Sequence, residues 1–70
     1  MLPLIYAEPG SDSIIKKIGG SAEVRQHLAD LGLNAGTSVT VVSITAGNVI
    51  VKVRETRVAV SREMAQKIMI

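Results

Sequence analysis

Residues 25–39, Arg-Gln-His-Leu-Ala-Asp-Leu-Gly-Leu-Asn-Ala-Gly-Thr-Ser-Val, constrain this chain most, because they read as a helix that stops on a glycine and turns directly into a strand. Val24, Leu28 and Leu31 recur at four and three residues and so form one apolar stripe, and Ser21 is placed to cap the start of that helix. Gly32 ends it. The residue just past a helix commonly takes a positive φ, which glycine adopts without a Cβ clash, and Leu33 then falls where it can pack back on the last turn. Gly36 makes a second turn into Thr37–Ile44, a run whose branched side chains suit a pleated, half-buried surface.

The 70 residues make one domain, 1–70, and a domain of this size buries only about 60% of the surface that its unfolded chain exposes. Hydrophobic residues make up 47% of the chain, with no Phe, no Trp and one tyrosine, Tyr6, so a thin aliphatic core is expected to leave some apolar surface for a partner. The absence of cysteine excludes a disulfide framework, a thiolate zinc site, an iron–sulfur cluster and a cysteine nucleophile. Closure of the strands into a small barrel is the expected alternative, because closure removes unpaired edges.

Formal net charge is +2, with Lys16, Lys17, Arg25, Lys52, Arg54, Arg57, Arg62 and Lys67 spread along the chain among acids. The apolar N-terminus, Met-Leu-Pro-Leu-Ile-Tyr-Ala, lacks a basic flank and is too short for a signal peptide or a membrane span. No membrane insertion and a cytoplasmic location are therefore expected, with attachment to the inner membrane only through a partner.

Short elements punctuated by turn residues fill the chain, with no repeat and no linker. Leu4–Ala7 reads as a lead-in, Glu8-Pro-Gly-Ser as a turn, and residues 12–18 as one strand ended by Gly19-Gly20. After the helix, Thr37–Ile44 and Val49–Arg54 flank a hairpin loop, Thr45-Ala-Gly-Asn. Val49, Val51 and Val53 share an inward face, while Lys52 and Arg54 lie outward with Ile50 as an exposed exception. Glu55-Thr56 is expected to turn the chain into a strand over Arg57–Val60. Ser61 then caps a short helix with Glu63 in its first turn, and Ile68-Met-Ile closes the chain as a last strand. The fold class is thus mostly β: a small SH3-like barrel with one α-helix between its first and second strands and a short helical turn before its last strand.

The Pro9-Gly10 turn, the Gly19-Gly20 pair, Arg25-x-x-Leu28-x-x-Leu31-Gly32-Leu33-x-x-Gly36-x-x-Val39, the Val-rich hairpin and the ending Val58-Ala-Val-Ser-Arg-Glu-Met-Ala-x-x-Ile68-Met-Ile70 together resemble the FeoA family. Nearly the whole chain takes part, and Leu31-Gly32-Leu33-x-x-Gly36 is the specific segment. The resemblance implies a non-enzymatic accessory of bacterial ferrous iron uptake, whose partner is the cytosolic, GTPase-containing part of the FeoB-type membrane iron transporter. Related domains end the iron-dependent repressors of the diphtheria toxin repressor type, so a metal-responsive regulatory domain is the alternative. A chain from Met1 to its last strand has no room for a helix-turn-helix and favours the free-standing protein. The loop Thr45-Ala-Gly-Asn is shorter and less proline-rich than many family members have there.

Catalytic chemistry has no support in the residues, since His27 is the one histidine and no nucleophile–base set accompanies it. Glu23, His27 and Asp30, at i, i+4 and i+7, are the weak candidates for a metal site, but charged residues at that spacing describe the wet face of an amphipathic helix, and the expectation is no metal and no cofactor. Gly19-Gly20-Ser is followed by Ala-Glu-Val-Arg and not by the Gly-Lys-Ser/Thr of a phosphate loop. A single tyrosine provides no stacking platform for nucleic acid and no aromatic groove for proline-rich peptides.

The expected partner interface is the corner after the helix, Leu33, Asn34 and Ala35, with Arg25 as the basic residue nearest in sequence; the alternative is the outward face bearing Ile50, Lys52 and Arg54. Leu33 either presents an apolar anchor there or only staples the helix end, because turns run over the surface. Nothing in the sequence distinguishes Arg25 as an arginine inserted into a GTPase site from a rim charge. Leu31, Gly32 and Gly36 are the structural motif of the corner.

Overall fold

A computed structural model describes residues 1–70. Its strands are β1 (Asp12–Ile14), β2 (Lys17–Ile18), β3 (Ser38–Ile44), β4 (Asn48–Val53), β5 (Thr56–Ser61) and β6 (Ile68–Met69), with helices α1 (Ala22–Asp30) and α2 (Arg62–Ala65). The mostly β, SH3-like order expected from the sequence is the order observed.

Both helices begin as their capping residues dictate. The Ser21 hydroxyl accepts the Val24 N–H at 3.3 Å and the Ser61 hydroxyl accepts the Met64 N–H at 3.2 Å, each satisfying an otherwise unpaired donor of the first turn. Leu28 of the predicted stripe is fully buried, and Val24 and Leu31 pack half-buried against the core.

The strand expected over residues 12–18 is in fact two. Ile15 N–H donates to Thr37 O at 2.9 Å, whereas Lys16 N–H donates to Met69 O at 2.7 Å, so the chain changes partner between these residues. The alternation breaks at the same point, where Lys16 and Lys17 are both exposed after the buried Ile15. A four-stranded antiparallel sheet in the order β1-β3-β4-β5 and a two-stranded sheet β2-β6 result. These sheets do not close into a hydrogen-bonded barrel, which corrects the expected closure: α2 intervenes between β5 and β6, and β5 keeps a free edge. Its six residues include the exposed Arg57, a charge of the kind that discourages edge-to-edge pairing.

The core lies between the sheets and α1 and contains only apolar residues. Val49, Val51 and Val53 enter it from β4 as the alternation requires, and Ile15, Leu28, Leu33, Val39, Val41, Val60 and Ile68 meet them. The lead-in contributes as well: Leu4–Tyr6 is a single 3₁₀ turn that buries Leu4 and Ile5 while Tyr6 stays exposed. Ile50, expected to be exposed, is half-buried beside its cross-strand neighbours Ser43 and Ala59.

The β4–β5 turn is displaced by one residue from its expected place. Val53 pairs with Thr56, leaving Arg54 and Glu55 as the loop instead of Glu55 and Thr56. Arg54 has φ 58°, the one non-glycine residue with a positive φ.

Candidate functional site: the groove between the helix exit and the β4–β5 turn

The corner that follows α1 is built by its backbone. Gly32 takes φ 88°; its N–H donates to Ala29 O at 2.9 Å, and the Leu33 N–H reaches back to Leu28 O at 2.8 Å. This is the paired closure of a Schellman motif, and the two leucines it joins are both fully buried. Gly36, at φ 90°, donates its N–H to Ile15 O at 2.7 Å and delivers the chain to β3. Gly32 and Gly36 thus make the two turns of the corner.

Leu33 does not present its side chain at the surface. With 0% exposure it belongs to the core, which removes it as an apolar anchor and leaves the staple. Arg25 is not at the corner either. It sits in the first turns of α1, and its Nη1 donates to Gly20 O at 2.8 Å, at the opposite end of the helix from Asn34. Asn34 and Ala35 are exposed, and only Asn34 lines a groove.

One wall of that groove is the helix exit, with Ala29, Asp30, Leu31, Gly32 and Asn34. The other is the β4–β5 turn and the start of β5, with Val53, Arg54, Thr56 and Val58. Leu31 and Val58 are half-buried, so the groove combines partly exposed aliphatic surface with an amide, a carboxylate and a guanidinium. Leu31 and Arg54, and not Leu33 and Arg25, are the leucine and the arginine that line this groove with Asn34. Arg54 was expected on the outward face of the hairpin and not beside the helix exit, because contact between residues so distant along the chain depends on how the hairpin folds against the helix.

Glu23, His27 and Asp30 remain on the exposed face of α1. No three carboxylate or imidazole side chains converge as a metal-ligand group, and Asp30 Oδ1 accepts a hydrogen bond from Gln26 Nε2 at 2.9 Å.

A family model described as the FeoA domain matches residues 2–70. The chain belongs to the FeoA family. A relative named "Putative Fe(2+) transport protein A", from Methanocaldococcus jannaschii, is 34% identical over 70 residues, spanning 100% of this chain and 85% of that one. The crystal structure of an iron uptake regulatory protein, FeoA, superposes with a TM-score of 0.89 at 31% identity, covering 97% of this chain and 90% of that one. The zinc-bound repressor ScaR superposes with a TM-score of 0.88 at 18% identity, over 97% of this chain and 35% of ScaR, a likeness of fold alone. Within the FeoA domain as this chain builds it, the helix exit and the β4–β5 turn are the two walls of the groove. No helix is long and apolar enough to cross a membrane.

Proposed function

We propose that this FeoA-family protein is a non-enzymatic accessory of ferrous iron uptake that acts in the cytoplasm by docking on the cytosolic, GTPase-containing part of a FeoB-type membrane iron transporter. The family membership and the relative named for Fe(2+) transport support the process. The groove between the helix exit and the β4–β5 turn supports docking as the means. Leu31 and Val58 offer partly exposed aliphatic surface along its two walls, while Asn34, Thr56 and Arg54 offer hydrogen-bonding groups beside it, the mixture of apolar and polar surface that protein interfaces use.

Calorimetry with the purified cytosolic domain of the transporter tests this reading. Wild type binds. Asn34→Glu, which places a carboxylate at the groove margin without touching the core, weakens binding about tenfold or more, corresponding to about 1.4 kcal/mol. Arg25→Glu, at the far end of α1, stays within about twofold. Equal affinity for wild type and Asn34→Glu moves the interface elsewhere, and no binding by wild type rejects docking.

A further inference from the structure

The outer face of the four-stranded sheet carries a row fixed by register. Asp12 stands opposite Thr40, Thr40 opposite Lys52, and Lys52 opposite Arg57. At one end of the row the Thr40 hydroxyl donates to Asp12 Oδ1 at 2.6 Å. At the other end two exposed cations, Lys52 and Arg57, are direct cross-strand neighbours, and like charges in that relation repel.

A polar groove runs beside these residues, lined by Gly36, Thr37, Ser38, Thr40, Lys52 and Arg54, with no hydrophobic residue among them. Arg54 lines this groove as well as the one at the helix exit. It also occupies the first central position of a two-residue hairpin at φ 58°, where glycine is the residue that fits without strain. The side chain hydrogen bonds that basic residues make elsewhere in the molecule come from Arg25 and Arg62, not from Lys52, Arg54 or Arg57. A strained backbone thus carries an exposed guanidinium at the junction of two grooves, beside two unpartnered cations.

We infer that the face formed by Ser38, Thr40, Lys52, Arg54 and Arg57 binds an extended acidic segment of a protein partner, with Arg54 holding a carboxylate. Lys52 and Arg57 are cross-strand neighbours, on strands about 5 Å apart, and Arg54 follows Lys52 by two residues in the adjoining turn, so the three cations gather at one end of the face within reach of neighbouring acidic side chains of a single extended segment. An incoming carboxylate relieves the repulsion between Lys52 and Arg57, and the planar guanidinium of Arg54 can take a second one through two N–H donors. Nucleic acid fits poorly, because the only aromatic residue of the chain, Tyr6, lies on the 3₁₀ turn of the lead-in and not on this face. The inference rests on the docking reading in one respect: the transporter's cytosolic domain is the natural source of the acidic segment, since Arg54 makes this face continuous with the proposed docking groove.

Two titrations at low ionic strength, followed by amide NMR, test it. In the first, an oligoglutamate peptide perturbs the amides of Ser38, Thr40, Lys52 and Arg57, and affinity falls about tenfold in Arg54→Gly and further in the Lys52→Gln, Arg57→Gln double variant, while melting temperatures stay at or above that of wild type. In the second, the transporter's cytosolic domain replaces the peptide and loses affinity for the same variants. Peptide binding without binding of the cytosolic domain keeps the acidic-segment site and rejects the docking reading. Binding of the cytosolic domain that is indifferent to all three substitutions rejects the site and keeps docking. Perturbation of the same amides by inorganic phosphate at equal charge, or tighter binding of oligouridylate than of oligoglutamate, overturns the assignment to an acidic peptide.

Discussion

The helix exit and the β4–β5 turn both reverse the chain through a residue of positive φ, yet they solve the problem in opposite ways. At the helix exit the position belongs to Gly32, its N–H and that of Leu33 close on the last turn, and the leucine that follows is sealed in the core. At the hairpin the position belongs to Arg54, which is exposed. A residue other than glycine in this region costs about 1–3 kcal/mol, and such strain is most often found where a side chain has work to do. The first turn is built for the fold, and the second gives up stability to keep a side chain.

The largest effect should come from Leu33→Ala. Removing a fully buried leucine in a thin core costs about 2–5 kcal/mol through lost transfer energy and the cavity left behind. A domain with so little buried surface would be largely unfolded near the upper end of that range. Denaturant titration measures it, and a loss below about 1 kcal/mol would mean that Leu33 is a surface residue and that the contrast between the two turns fails. Gly32→Val follows, at about 1–3 kcal/mol. A Cβ built there meets only Val53 Cγ1 at 3.7 Å, an ordinary contact, so the cost lies in forcing a β-branched residue to φ 88°. An unchanged melting temperature with a folded spectrum would refute that origin of the motif.

The contrast also marks what was legible. The helix, its Ser21 cap, the Gly32 stop and the alternation of Val49, Val51 and Val53 follow from interactions within a few residues, and all appear where the sequence places them. The groove was only half legible. The sequence singles out Asn34 beside the helix stop and Arg54 on the outward face of the hairpin, but that the two line one groove depends on hairpin register. A turn at Glu55-Thr56 would pair Val53 with Val58 and Val51 with Val60; the observed turn pairs Val51 with Val58 and Val49 with Val60. Both registers put valine against valine on the inner face, so the apolar pattern does not choose between them. The change of partner after Ile15 escaped for a similar reason: it depends on β6, which is contributed by the far end of the chain.

The smallest effect has the most informative sign. Arg54→Gly removes an exposed side chain that makes no hydrogen bond within the molecule and gives the φ 58° position to the residue best suited to it. Relief of strain contributes about 1–2 kcal/mol for a residue in the left-handed region, while the greater freedom of glycine in the unfolded chain takes back about 0.5–1 kcal/mol. The net expectation is a gain of about 0.5–1 kcal/mol, and for a domain of this size 1 kcal/mol corresponds to about 4–8 °C in melting temperature. Gly32→Arg, the reciprocal substitution, should lose stability at the helix exit for the same reason that Arg54→Gly gains it at the hairpin. Thermal unfolding of the two variants compares the turns directly. If Arg54→Gly melts lower than wild type, the arginine stabilises the fold through contacts of its own, and its strained backbone then needs no partner to explain it.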